Sequence, residues 1–150
     1  MTRKNLIIAV SILFYSVFTG SYADESTTEG PMLTVMETMT SIIAPATDTL
    51  WAVDNPSSDE EWSKLESAAL KVITAGKTIK QGGSDPENKN WATQSDWQSL
   101  VDEMTKAAEQ SLVAIRQKDV DALLDAGDAL YQPCESCHQR YNPARGEHAE

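Results

Sequence analysis

The apolar residues of this chain fall into two rows at sevenfold spacing, and the pair of rows recurs in four successive segments. In the first, Met32, Met39, Ala46 and Val53 form one row and Met36, Ile43 and Leu50 the other. A helix turns once in about 3.6 residues, so both rows lie on one face and make a seam that other helices can cover. Trp62, Ala69 and Gly76 run beside Leu65, Val72 and Ile79 in the second segment. Trp97, Met104 and Ser111 accompany Leu100 or Val101, Ala108 and Ile115 in the third. The fourth sets Val120, Gly127, Cys134 and Tyr141 beside Leu123 or Leu124, Leu130 or Tyr131, and Cys137 with His138. No segment alternates convincingly with the period of a strand. Four such seams can be buried only against one another, and the connections are mostly short. The expectation is an all-α fold, an antiparallel up-down-up-down four-helix bundle.

Punctuation along the chain sets the helices at about residues 31–53, 59–81, 94–117 and 119–142. Pro31 suits a first helical turn, whereas Pro45 lies inside the first pattern and should kink it. "DNPSSDEE" breaks the chain, with Ser58 or Asp59 able to cap the second helix. "QGGSDPENKN" reads as a loop.

The opening residues have another character. "MTRKN" is basic, Leu6 to Phe18 is apolar, and "TGSYA" ends in small residues. That is the layout of a secretory signal, with cleavage expected after Ala23. The apolar core is shorter than the roughly 20 residues that span a bilayer, so no stable membrane anchor is expected. Residues 1–23 are thus read as a signal peptide and 24–150 as a single domain, exported to the periplasm. The formal charge of the whole chain is −11. An acidic chain of this kind is a poor match for nucleic acid or an anionic membrane, and it suits a partner protein with a basic patch.

Both cysteines sit in "YQPCESCHQRYNP", near the end of the fourth segment. C-x-x-C-H is the attachment signature of c-type haem: the thiols of Cys134 and Cys137 form thioethers, and His138 supplies the proximal iron ligand. Positions i, i+3 and i+4 share one helical face, so all three side chains can address one object. A thioredoxin-like pair would want a βαβ setting, which is absent from the pattern. A zinc site would need a fourth ligand, and His148 is the other histidine, in a polar tail. A plain Cys134–Cys137 disulfide would leave His138 incidental.

Only "QRYNPARGEHAE" follows His138, and it holds no methionine. A sixth iron ligand must therefore come from upstream. The start of the first helix and the close of the fourth share one end of an antiparallel bundle. Met32, Met36 and Met39 qualify by height, Met39 lying about 12 Å in from Pro31 at ~1.5 Å per residue. Met104 on the third helix is a further candidate. Methionines at helical spacing also serve as ordinary core filler.

With a C-x-x-C-H motif near the close of the last of four helices, the chain resembles the class II c-type cytochromes: cytochrome c′ and its low-spin, methionine-ligated relatives. "VMETMTSIIAPATDTLW", residues 35–51, is also similar to the first helix of the low-spin branch. The resemblance implies one covalent haem c on Cys134 and Cys137, His138 as proximal ligand, and Met39, six residues before Pro45, as distal ligand. It equally admits a five-coordinate iron, as in typical cytochrome c′, and a homodimer through the first two helices. Tyr131, Tyr141 and Trp51 are candidate haem walls, and Arg140 and Arg145 candidate partners for the propionates. Trp62, Trp91 and Trp97 are assigned to packing between helices, and Glu135, Ser136 and Gln139 to solvent.

Electron transfer is the leading expectation, without enzymatic catalysis. Capture of nitric oxide or carbon monoxide by a five-coordinate haem is the runner-up. A haem-free helical interaction module stands third.

Overall fold

The computed structural model describes residues 32–142. The signal segment, Pro31, Arg145 and His148 lie outside the described residues. Six α-helices occur there: α1 (Val35–Thr38), α2 (Ala44–Trp51), α3 (Asp59–Lys80), α4 (Pro86–Trp91), α5 (Ser95–Gln117) and α6 (Val120–Tyr141). A π-helical turn, Met39–Ile43, joins α1 to α2. The first rod is thus one helical stretch in three parts, and four long stretches make an all-α bundle.

Local chemistry explains the boundaries. Thr34 begins α1 with a capping box, its hydroxyl accepting from the Glu37 N–H while the Glu37 carboxylate accepts from the Thr34 N–H. Ser58 and Glu61 repeat the device at α3. Hydrogen bonds from the backbone N–H groups of Ser57 and Ser58, and then from their hydroxyls, hold the Glu61 carboxyl below its usual range. Asp119 caps α6 by accepting from the Ala122 N–H.

The segment "QGGSDPENKN", residues 81–90 and expected as loop, holds most of the short helix α4. Pro86 fills its first turn, and the Asp85 carboxylate accepts from the Glu87 N–H. Gly83 makes the preceding turn workable. Its φ is +58°, and a Cβ there would stand 2.7 Å from the Val35 nitrogen. The bare backbone lets the Ser84 N–H reach the Leu33 carbonyl at 3.0 Å, which ties this turn to the start of the first rod.

Opposite ends meet along the bundle. Trp97, near the start of α5, donates its indole N–H to the Ile79 carbonyl near the end of α3. Arg116, at the other end of α5, pairs with Glu66 of α3. Tyr141, closing α6, donates to the Gln94 side chain at 3.0 Å, just ahead of α5. The pairs α3–α5 and α5–α6 therefore run antiparallel. Both predicted rows supply the core: Leu50, Leu65, Val72, Ile79, Trp97, Met104, Ala108, Ile115, Leu123 and Leu130 are all buried.

Candidate functional site

Helix α6 presents Cys134, Cys137 and His138 along one face, as the i, i+3, i+4 spacing requires. One residue before Cys134, Pro133 lies inside the helix and is buried. It has no N–H for the Ala129 carbonyl, and Ala129 is exposed, so water can serve that oxygen. Neither sulfur is in a disulfide. Burial pushes the Cys137 thiol up to about 11, far from the thiolate that metal binding or thiol exchange requires. Among the described residues no three His, Cys, Asp or Glu side chains converge on a point that could hold a metal ion. The trio lies on one helix face, where all three side chains can address one broad ligand.

That face opens into a cavity of about 850 Å³. On the other side stands the first rod, which contributes Met36, Met39, Ile43 and Thr47. Ile79, Leu100, Val101 and Met104 supply the apolar floor. Of the four candidate methionines, Met36, Met39 and Met104 line this space, while Met32 is exposed and does not. Met104 is buried, Met39 is half-buried against the core, and Met36 is exposed.

The backbone at Met39 is the least regular in the bundle. Its carbonyl accepts from the Ala44 N–H, five residues on. In an α-helix the Pro45 ring would collide with the Ser41 carbonyl, and a widened turn just upstream relieves that overlap. The break expected at Pro45 thus takes the form of a π turn, a feature that recurs at functional sites. Hydroxyls serve the neighbouring carbonyls: Thr40 donates to Met36, Ser41 to Glu37, and buried Thr47 to Ile43.

Two groups of aromatic side chains line the cavity. Trp91, Trp97 and Tyr141 form a cluster, with Trp97 and Tyr141 edge to face at 4.9 Å between centroids. Trp91 and Trp97 therefore do more than pack helices together, since both line the cavity. In the second group Trp51 meets Tyr131 edge to face at 6.3 Å, and its indole N–H donates to the Gly127 carbonyl. All three expected wall residues, Trp51, Tyr131 and Tyr141, do line the space.

One expectation needs correction. Arg140 does not face the cavity: its guanidinium pairs with Asp96 and lies over the Tyr141 ring, because α6 ends beside the start of α5. Glu135 and Gln139 are exposed, yet they belong to the cavity rim.

A family model described as Cytochrome C' matches residues 32–142. No curated protein and no solved structure matches the chain. Proteins of that family carry a covalently attached haem c, and the cavity fits such a group. Its volume lies within the usual range for cofactor sites, roughly 300–1,000 Å³, and its lining is largely apolar with a few placed polar groups. Cys134 and Cys137 would hold the group covalently, and His138 would hold its iron. When bound, haem supplies a metal that cycles between Fe(III) and Fe(II). A haem-free interaction module is thereby set aside. The match runs across every described residue, and on that ground the chain belongs to the cytochrome c′ family and is a haem c protein.

Proposed function

We propose that the protein is an exported mono-haem electron-transfer cytochrome of the periplasm, with Met39 opposite His138 as the second axial ligand. One observation carries the reading: the thioethers of Met36 and Met39 line the same cavity as His138, from a different helix. Met39 is preferred because it is half-buried against the core and opens the π turn, whereas Met36 is exposed. Methionine as the second ligand raises the reduction potential relative to two imidazoles. It also fills the position that substrate chemistry would need, which is why no enzymatic activity is proposed. The partner is a redox protein with a basic patch. Among the described residues no helix is long and apolar enough to cross a membrane. A homodimer through the first two long stretches would cover exposed Leu70 and the shallow groove between Ile42 and α3.

The test is the absorption spectrum of protein matured with haem in an exporting host. A low-spin spectrum with an iron–methionine charge-transfer band is expected, and Met39→Ala should abolish the band and lower the potential. If Met36→Ala does so instead, the ligand assignment moves to Met36. A high-spin resting spectrum with ready binding of carbon monoxide would favour the gas-binding reading, for which Ile43, Leu100 and Val101 provide an apolar wall.

A further inference from the structure

The negative charge of this protein is unevenly placed. Residues 32–58 and 119–139, which hold the first rod and most of α6, carry eight Asp or Glu and no Lys or Arg. Residues 59–118, which hold α3 and α5, carry ten acids and eight bases. The ion pairs follow the same division. Among the described residues, Lys64–Glu60, Lys80–Asp102, Arg116–Glu66, Lys118–Asp59 and Arg140–Asp96 leave the acids of the first rod and α6 untouched. Most of the unbalanced charge of the described residues therefore lies on the two stretches that flank the cavity.

The mouth of the cavity concentrates it. Asp48, Asp85 and Glu135 line the space, and no Lys or Arg does so among the described residues. Asp128 lies one turn before Tyr131 and two before Glu135, so the three share a row on α6. Asp48 is one turn before Trp51 on the first rod. Between these carboxylates the Trp51–Tyr131 pair stands 42% and 50% exposed, held in place by the Trp51–Gly127 hydrogen bond. Large aromatic side chains ringed by charge are the composition of a protein-binding surface. A second copy presenting the same face would bring like charge against like charge, so the occupant is a protein of opposite sign.

From this we infer that the mouth of the cavity, with Trp51 and Tyr131 at its centre and Asp48, Asp128 and Glu135 around them, is the docking face for a basic redox partner. The inference rests on the electron-transfer reading and adds to it the face and the residues. Complementary charge concentrated there raises the encounter rate and turns the mouth of the cavity toward the partner.

The experiment uses the mature haem-loaded protein and a lysine-rich small cytochrome c as probe, with electron exchange followed by stopped flow. The second-order rate constant should fall steeply as salt rises. The triple variant Asp48→Asn, Asp128→Asn, Glu135→Gln should lower it about tenfold at low salt. A control with the same change in net charge on α3 and α5, Glu60→Gln, Glu103→Gln, Glu109→Gln, should change it less than about twofold. Equal losses in the two triples, or none in either, would overturn the docking face while leaving the methionine band and the electron-transfer reading intact. A rim triple that makes or breaks a dimer in sedimentation would assign the face to a second copy and overturn the inference as well. A protein without the band fails on the earlier reading, which the spectrum reports before any mixing.

Discussion

Replacing Pro45 by Ala tests whether the π turn aims Met39. One preference sets the size of the effect. Alanine is favoured over proline inside a helix by about 3 kcal/mol. That figure combines relief of the ring clash with the N–H that alanine supplies to a carbonyl one turn back. It favours closing Met39–Ile43 into ordinary α-helix. Closure removes one residue of slack, which turns everything upstream by about 100° and shifts it by about 1.5 Å. The ends of the rod resist, because Ser84 holds Leu33 and Gly127 holds Trp51. The rotation must therefore fall on the turns between them, where Met36 and Met39 lie. In haem-loaded protein, Pro45→Ala should keep or raise thermal stability while the iron–methionine band is weakened or lost and the reduction potential falls. Circular dichroism melting, absorption spectra and potentiometric titration read the three quantities. A variant with an unchanged band and potential would show that the π turn has no part in placing the sulfur.

Further outcomes follow from other contacts. Trp97→Ala removes a fully buried ring that touches Trp91 and Tyr141, and it should cost about 3–5 kcal/mol in denaturant unfolding. Gly83→Ala meets a positive φ and the Val35 nitrogen together, so it should destabilise by more than about 1 kcal/mol and lower the melting temperature. Ser58→Ala breaks the capping box at α3 and should cost about 1 kcal/mol. The same box carries a pH dependence: the folded pKa of Glu61 is depressed, so its stabilisation is present above the unfolded carboxylate value and is lost as pH falls through the folded one. Acid unfolding of Ser58→Ala should accordingly be less steep than that of the parent. Denaturing mass spectrometry of mature protein should show the haem mass retained, and Cys134→Ser with Cys137→Ser together should remove it.

Some of the site was legible because helical periodicity is a local property. The i, i+3, i+4 placement of Cys134, Cys137 and His138 needs nothing beyond the geometry of α6. Helix α4 was missed because "QGGSDPENKN" has loop composition, although Asp85 before Pro86 was a helix-start signal in plain view. Pro133, one residue ahead of Cys134, was an equally visible irregularity that the last helix carries without a break. Arg140 was misplaced for a different reason. Nothing near it in the sequence reveals Asp96, a partner brought beside it only when α5 and α6 pack. The rim positions of Glu135 and Gln139 were hidden in the same way.

Four amphipathic stretches, the haem attachment signature and its place at the end of the last helix can all be read from residue spacing. Each follows from spacing within one segment, where about 3.6 residues per turn fixes which side chains share a face. Helix packing settles which methionines reach the cavity, which arginine is occupied elsewhere, and which acids gather beside the opening. Those depend on how rods from distant parts of the chain turn toward one another, and packing of whole faces sets that rotation.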